Sequence, residues 1–254
     1  MLCTLIAAVY DDFDDRHYFD EAFGYSTADG EFEGTLGSDM SAYVLRQLRK
    51  PNLWPITVKH VTYSEDDVFD IIELLFDCVS EPVNIRYENG PDSFNKEAGR
   101  REFREDVNEL LRDYEQGYEL SEEGEVYALP ETGLETLLSA SVPKYDAENV
   151  EIRVDAAVKK FRNRHSTPDE RRDAVRDLAD VLEFLREKVK ELDVITKKDE
   201  GDLFNIANNF AIRHHNAAQK SGYNKAIWYS WMFYFYLATI HTALRLINKK
   251  EKAA

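Results

Sequence analysis

Apolar residues recur at intervals of three and four through most of the second half of the chain, which is the spacing of one face of an α-helix. The strongest start signal is Thr167-Pro168 with Glu170, which combines an N-cap, a proline at the first helical position and a capping-box glutamate. From residue 146 onward the pattern predicts an all-α, up-and-down four-helix bundle. Its helices are predicted over 147–162, 167–192, 200–220 and 224–248.

The first part of the chain mixes helical stripes with short alternating segments. The opening MLCTLIAAVY is almost wholly apolar and predicts a first buried strand, and the glycine-rich stretch after it predicts a loop and hairpin. Helices are predicted over 40–50, 66–79 and 96–114. The last of these precedes YELSEEGEVYAL, which reads as a hairpin and gives the helix a wing-like element. We therefore predict an α+β domain over 1–145 and a helical domain over 146–254.

The last predicted helix contains 19 residues without a formal charge, 226–244, which is just long enough to span a membrane. Tyrosine, serine, threonine and histidine are spread through its middle, so we predict a central core helix in a protein that does not enter the membrane. The segment 228–236 carries seven aromatic residues. They could stack on RNA bases, but they surround the helix, which favours core and dimer interface.

Composition narrows the class of protein. The chain has 254 residues, 43% of them hydrophobic, and this share excludes a disordered or low-complexity protein. Its two cysteines cannot build a disulfide framework, and the acidic residues that follow the opening do not fit a secretory signal. These features predict a cytoplasmic protein.

Charge divides unevenly along the chain. The net charge is −22 over residues 1–150 and +5 over 151–254, giving −17 in total. An acidic surface repels nucleic-acid phosphates, so the first part of the chain is a poor nucleic-acid binder and a candidate surface for a partner protein. A polyanion site remains possible in the second part, whose cations cluster at 159–164, 171–176 and 249–252.

The densest polar cluster among apolar neighbours lies in the third predicted helix, in the sequence NNFAIRHHNAAQK. On a helical wheel of about 100° per residue with Arg213 at zero, the apolar face that contains Ile206 and Phe210 lies between about 20° and 120°. His214 falls inside this face at about 100°. The wheel therefore predicts that His214 points inward and that Arg213 borders the core.

Further polar residues surround Arg213 on the same wheel. Asn209, Asn216 and Lys220 lie within about 60° of it, whereas His215 lies on the far side at about 200°. An arginine clamp, a histidine proton carrier and amide donors suit a phosphate or a developing oxyanion. The alternative is structural: an interior histidine hydrogen-bonded across the bundle, and an arginine paired with an acid such as Glu183.

These residues resemble a known family. Arg-His-His-Asn near the end of the third helix, the capped helix before it and the aromatic helix after it are similar to the HEPN domain, the helical RNase module of many abortive-infection, toxin and CRISPR-associated proteins. The family motif is an arginine and a histidine separated by four to six residues, the first of which is polar. Arg213 and His214 match its first two positions, while Ala218, Gln219 and Lys220 stand where the closing histidine would come.

The resemblance implies a HEPN-like homodimer that binds RNA in anti-phage defence of the abortive-infection type, and a metal-independent endoribonuclease. The absent closing histidine leaves open a non-catalytic alternative, an interaction or dimerisation protein that docks a partner effector. The implied catalytic residues are Arg213, His214, His215 and Asn216, and the implied substrate-binding residues are Asn209 and Lys220.

A second candidate site is the acidic run Asp11, Asp12, Asp14 and Asp15, which follows the predicted first strand. Carboxylates at the end of a buried strand can hold Mg²⁺, but a solvated acidic loop is the favoured interpretation because charge runs are usually solvated. The sequence contains no HExxH, P-loop or dinucleotide fingerprint, and we predict neither a metal ion nor a cofactor.

Overall fold

The computed structural model is mostly helical, with short antiparallel hairpins in its N-terminal part and a helical C-terminal part. Contacts divide the chain into two compact units, Met1–Leu129 and Pro130–Ala254. The structure describes residues 1–27, 30–37, 39–85, 90–115, 117–129, 134–192, 198, 201, 206 and 224–252.

The described part of the N-terminal unit contains four longer helices and three two-stranded hairpins. The short helices α2 (Asp20–Phe23) and α4 (Ile56–Lys59) lie between the longer ones, and α4 continues into a 3-10 turn, His60–Thr62. The longer helices are α1 (Leu2–Asp15), α3 (Met40–Leu48), α5 (Glu65–Cys78) and α6 (Lys96–Arg112). The hairpins pair β1 (Gly24–Thr27) with β2 (Gly30–Glu33), β3 (Glu81–Val83) with β4 (Ser93–Asn95), and β5 (Tyr118–Leu120) with β6 (Val126–Ala128).

The first element corrects a prediction, because the opening segment is the helix α1 and not a buried strand. A short apolar run fits a buried strand and a buried helix equally well, and here the acidic residues that follow continue the helix to Asp15. The acidic run 11–15 therefore lies on the last turn and a half of a helix, not in a loop after a strand. The buried side chains of α1 have helical spacing: Leu2, Ile6, Ala7, Tyr10 and Phe13.

Capping signals account for the helices that were predicted correctly. Asp39 caps α3 by accepting a hydrogen bond from the amide of Ala42, and Ser64 with Asp67 forms a capping box at α5. Asn95 caps α6 in the same way through the amide of Ala98. The predicted helices over 40–50, 66–79 and 96–114 are confirmed with shifts of one or two residues at their ends.

The N-terminal core is formed by α1, α5 and α6, with aromatic rings at its centre. Phe13 meets Phe103 edge to face with a centroid distance of 5.3 Å. The predicted hairpin after α6 is confirmed, and Gly124 turns it with a φ of 90°. Asn108 fastens this hairpin to α6: its Nδ2 donates to the carbonyl of Leu120 at 3.1 Å, and its Oδ1 accepts from the Leu120 amide at 2.6 Å.

The C-terminal unit is helical throughout its described residues, apart from connections. Helix α9 begins with the predicted capping box, in which the amide of Glu170 donates to Thr167 Oγ1 at 3.2 Å. Both α8 and α10 pack on α9. The elements are α7 (Glu135–Leu138), a π-helical turn (Ala147–Glu151), α8 (Ile152–Arg162), α9 (Pro168–Glu191) and α10 (Lys225–Glu251).

Three of the four predicted C-terminal helices are therefore present. The third, predicted over 200–220, lies outside the described residues except at Gly201 and Ile206, which are helical. Ile206 is half-buried and packs against the core between α8, α9 and α10.

The division between the units differs from the predicted one. The predicted boundary follows residue 145, whereas contacts divide the chain after Leu129. Leu134, Val142 and Tyr145 pack against the C-terminal core, and Asn248 Nδ2 donates to the carbonyl of Lys144 at 3.1 Å. The connecting segment therefore belongs to the helical unit, which its lack of regular helical spacing did not reveal.

Within the described residues, every helix is too short or too polar to cross a membrane. This includes α10, whose aromatic residues were predicted to be core or interface. Tyr229, Phe233, Tyr234 and Tyr236 are buried in the C-terminal core, while Trp228 and Trp231 are exposed.

Candidate functional site

The residues that carry the predicted RNA site all lie outside the described part of the chain. The structure describes the helices that flank this motif in the sequence: α9 ends before it, and α10 begins after it. The residues concerned are Asn209, Arg213, His214, His215, Asn216 and Lys220.

Ile206 is the described residue that bears most directly on the motif. The helical wheel predicts Ile206 on the inward face of the third helix, and its half-buried side chain packs on the C-terminal core. The inward face predicted for this segment is thus confirmed at one position, seven residues before Arg213.

Helix α10 carries a buried histidine, His241, which is 4% exposed. Neither ring nitrogen of His241 has a hydrogen-bond partner among the described residues. Burial, and to a smaller extent the charge of Arg245, lowers the pKa of His241, so the imidazole is neutral at pH 7. A neutral imidazole offers one donor and one acceptor to a polar neighbour.

The same helix presents an aromatic stripe to solvent, defined here as Trp228, Trp231 and Phe235. Trp228 meets Trp231 edge to face at 5.3 Å, and Trp231 stacks on Phe235 at 5.4 Å between ring centroids. The exposed residues Ala238 and Thr242 continue this face toward the C-terminus. The face is apolar or uncharged until Arg245, so it can be covered by another surface without burying a charge.

Carboxylates of α9 pair with some of the cations in two of the basic clusters predicted as polyanion sites, 159–164 and 171–176. Lys160 donates to Asp177 at 2.5 Å, and Arg176 lies 3.2 Å from Asp173. Arg172 lies 3.5 Å from Asp169. Most of these side chains are partly exposed, and exposed ion pairs of this kind hold little free energy, so a phosphate could exchange with the acids.

The acidic run of α1 does not form a metal site in the described residues, where no group of three or more potential metal ligands is found. Asp12 instead pairs with Arg16 at 3.1 Å. Burial and the neighbouring charges of Asp15 and Asp11 raise the pKa of Asp14. These carboxylates repel one another along a helix surface and do not converge on one point.

A cavity of about 580 Å³ in the N-terminal unit was not predicted. It lies along the first half of α6, near the end of α5 and the turn of the hairpin β5–β6. Its lining residues are Phe76, Lys96, Glu97, Arg100, Arg101, Arg104 and Glu122. Four of these seven side chains are cationic, in a unit where acidic residues outnumber basic ones by 30 to 11.

The cations of this cavity differ in what holds them. Arg100 donates to the carbonyl of Phe76 at 3.1 Å and to Asp77 at 2.7 Å, and its guanidinium lies 4.8 Å from the Phe76 ring centroid. Arg104 pairs with the exposed Glu122 at 3.1 Å. Lys96 and Arg101 form no hydrogen bond or ion pair with described residues, and they leave two cations available to a ligand.

The sequence did contain a signal for this cavity, since the charges of α6 are segregated on its wheel. With Lys96 at zero, Arg100, Arg104 and Arg101 fall at about 40°, 80° and 140°. The acids Glu102, Glu105, Asp106 and Glu109 fall between about 180° and 280°, and Glu97 at about 100° is the acid that interrupts the basic flank. A helical wheel shows this segregation of charge, but the cavity itself depends on tertiary packing.

Comparison of this chain with protein-family models, with curated proteins and with solved structures gives no match.

Proposed function

We propose that this protein acts in the prokaryotic cytoplasm in anti-phage defence of the abortive-infection type, and that its C-terminal unit is a HEPN-like four-helix domain that binds RNA and cleaves it without a metal ion. The acidic N-terminal unit would then receive the signal or contact a partner protein. The proposal joins the Arg-His-His-Asn sequence to the helical character of the C-terminal unit.

The main structural support for this proposal is the packing of Ile206 on the core between α8, α9 and α10. In a helix that continues from Ile206 for two turns, Arg213 lies about 20° from it on the wheel and His214 about 80°. This arrangement keeps Arg213 at the border of the core, where its guanidinium can reach solvent and substrate. The packing supports a fourth helix in the predicted orientation.

The chemistry of the proposed site follows from its residue types. His214 or His215 accepts the proton of an RNA 2′-hydroxyl, and the 2′-oxygen attacks the adjacent phosphorus. Arg213 stabilises the negative charge that develops on the phosphorane oxygens, and Asn209, Asn216 and Lys220 position the strand. The bond to the 5′-oxygen breaks, this oxygen takes a proton, and the products are a 2′,3′-cyclic phosphate and a 5′-hydroxyl.

Incubation of the full-length protein with labelled single-stranded RNA in EDTA tests this function. We expect cleavage that leaves 2′,3′-cyclic phosphate ends, stops at a scissile position with a 2′-deoxyribose, and leaves DNA intact, because the 2′-hydroxyl is the nucleophile. Arg213→Ala should remove the activity, whereas Arg153→Ala, which removes an exposed arginine of α8, should retain it.

Stability measurements on the same variants separate a functional role from a structural one. Arg213→Ala should change the free energy of unfolding by less than about 0.5 kcal/mol, as is typical of surface positions. His214→Ala should lower it more, because the wheel places His214 inside the apolar face. Unfolding of Arg213→Ala would identify a structural ion pair, and cleavage of DNA with Mg²⁺ would contradict the proposed mechanism.

A second candidate function is favoured by the aromatic stripe of α10. Two exposed tryptophans and a half-buried phenylalanine on one uncharged helix face are typical of a protein–protein contact. Together with the absent closing histidine, the stripe supports a non-catalytic protein whose helical unit forms a homodimer and docks a partner effector. Failure to cleave RNA in the assay above would favour this function over the first.

A further inference from the structure

We propose that the cavity on the basic flank of α6 binds a small phosphorylated molecule, recognised through its phosphoryl group. This inference goes beyond the proposed function, because it concerns the N-terminal unit and none of the residues assigned to RNA. It rests on the cavity, its cations and their surroundings.

The arrangement of charge on α6 is the first step. Opposite charges at a spacing of four residues stabilise an exposed helix, and mixed flanks are the simplest way to achieve this. Helix α6 instead collects Lys96, Arg100, Arg101 and Arg104 on one flank and most of its acids on the other. Carboxylates of neighbouring elements neutralise only part of this charge, because Asp77 pairs with Arg100 and Glu122 pairs with Arg104. The charges of Lys96 and Arg101 remain for a bound anion at this flank.

The state of the individual cations is the second step. Arg100 is fixed by Asp77, by the Phe76 carbonyl and by the Phe76 ring, so its position is set before any ligand arrives. Lys96 and Arg101 form no hydrogen bond or ion pair with the described residues. A fixed guanidinium beside two available cations matches the donors that a phosphoryl group requires.

The size and charge of the surroundings define the class of ligand. A volume of about 580 Å³ lies within the usual range for small-molecule sites. A long polyanion would extend beyond the cavity onto a unit with 30 acidic and 11 basic residues, where its phosphates would be repelled. The Phe76 ring is buried and faces Arg100, so no aromatic face is open for a nucleobase, and recognition falls on the phosphoryl group.

Calorimetric titration of the full-length protein tests the site, with inorganic phosphate, pyrophosphate and ADP as probes. We expect saturable binding that weakens as ionic strength rises, since charge-assisted contacts to an open cavity are screened. Pyrophosphate and ADP should bind more tightly than phosphate because they carry more charge. Similar affinities for pyrophosphate and ADP would identify the phosphoryl group as the recognised part, whereas a large preference for ADP would contradict this assignment.

Variants of α6 provide matched controls. Arg101→Gln should raise the Kd about tenfold, the value of one charge-assisted hydrogen bond, without changing the thermal midpoint. Arg112→Gln makes the same charge change on the same helix, about 12 Å beyond Arg104 along its axis, and should leave the Kd unchanged. Glu97→Gln should lower the Kd, because it removes a carboxylate from the lining.

Three results would overturn the inference. The first is absence of binding by every probe, and the second is an equal loss of affinity in Arg101→Gln and Arg112→Gln, which would indicate a general charge effect. The third is RNA binding through Arg101 whose affinity grows with strand length, because it would assign the flank to a nucleic acid instead of a small molecule.

Discussion

Glu102 accepts hydrogen bonds from two residues that lie far away in sequence, Arg16 Nη1 at 2.7 Å and the hydroxyl of Tyr18 at 2.5 Å. These bonds tie α6 to the end of α1 and the loop that follows it. Burial alone would raise the pKa of the Glu102 carboxyl, but the hydrogen bonds from Tyr18 and Arg16 and the charge of Arg16 outweigh it and lower this pKa. The folded state therefore favours the ionised carboxylate.

The lowered pKa of Glu102 predicts a dependence of stability on pH. A carboxyl whose pKa is lower in the folded state stabilises the protein above its unfolded pKa, about 4.3, and this contribution disappears as pH falls through the lowered value. Glu102→Gln should therefore lower the urea midpoint at pH 7, and the difference from the wild type should shrink below about pH 4. Urea unfolding of both proteins at a series of pH values measures this difference in midpoint.

Glu105→Gln is the matched control for this measurement, because Glu105 is exposed on the same helix and forms no hydrogen bond or ion pair with described residues. It reports the effect of removing one negative charge from an acidic unit. A midpoint difference for Glu102→Gln that stays constant down to acidic pH would show that the carboxylate contributes through packing and not through its charge.

The buried thiol of Cys78 in the N-terminal unit is held in its neutral form. Burial, with a contribution from Asp77, raises the pKa of the Cys78 thiol to about 12. The thiolate is the reactive form of cysteine, so Cys78 is a core side chain and not a nucleophile. The side chains that line the α6 cavity differ from Cys78, because four of them are cationic and partly or fully exposed to solvent.

At the scale of elements, helices were predicted most accurately where a local signal marks the start of the helix. Asp39, Ser64, Asn95 and Thr167 each precede an apolar stripe and each caps the helix that follows. The strand predicted for the opening segment was wrong, because α1 begins without a side-chain cap and its apolar run is too dense to show a helical period. The hairpins β1–β2 and β5–β6 were predicted from glycine and alternating residues, which act over a few positions, whereas β3–β4 was not predicted.

The candidate site was less predictable than the fold for a different reason. The α6 cavity needs Phe76 from α5 and Glu122 from the hairpin beside the cations of α6, and only tertiary packing brings these elements together. The net charge of the first 150 residues is a sum, and it does not show the local basic flank of α6. The charge segregation of α6 was readable from the sequence, but the cavity beside it was not.

The aromatic stripe of α10 supports a prediction about oligomeric state. Trp228, Trp231 and Phe235 repeat at intervals of three and four, and Ala238 and Thr242 continue the same face, so two copies can pack along it without burying a charge. Sedimentation velocity of the full-length protein should show a homodimer, and Trp231→Glu should convert it to monomer, because a carboxylate in an apolar contact is costly.

Phe184→Glu provides the matched control for the stripe, since Phe184 is a comparably exposed aromatic residue on α9. It should leave the dimer intact. A monomeric wild-type protein would contradict the predicted homodimer, and dissociation by both substitutions would indicate a general effect of charge on the helical unit and not a contact through the stripe.

At the scale of the whole molecule, the two units differ in charge as well as in secondary structure. Residues 1–129 contain 30 acidic and 11 basic residues, whereas residues 130–254 contain 19 and 21. The near balance in the helical unit removes the general repulsion that an acidic surface exerts on RNA. The excess of acid in the first unit makes its basic flank on α6 selective for anions small enough to remain within the cavity.

The division of the chain after Leu129 leads to a prediction about two fragments of the helical unit. A fragment that begins at residue 146 keeps α8, α9 and α10 and their shared core. We expect it to fold as a helical domain, because Thr167 and Asn224 cap α9 and α10 and Asp146 caps the turn that leads into α8. A fragment that begins at residue 130 also keeps α7 and the segment that follows it.

The longer fragment should be the more stable of the two. Leu134, Leu137, Leu138, Val142 and Tyr145 pack on the C-terminal core, and burying an apolar side chain of this size contributes about 1.5–3 kcal/mol when burial is complete. These side chains are only partly buried, so we expect a total difference of a few kcal/mol in the free energy of unfolding. The backbone amides of Tyr145 and Asp146 also donate to the carboxylate of Glu151, which fixes the segment to the start of α8.

Circular dichroism and urea unfolding of the two fragments measure this difference. A Leu137→Ala, Leu138→Ala variant of the longer fragment should move its urea midpoint toward that of the shorter fragment, because it removes part of the apolar contact while keeping the chain length. Equal stability of the two fragments would show that residues 130–145 do not stabilise the helical unit, in agreement with the predicted boundary after residue 145. A random-coil spectrum of both fragments would mean that the helical unit needs the rest of the chain to fold.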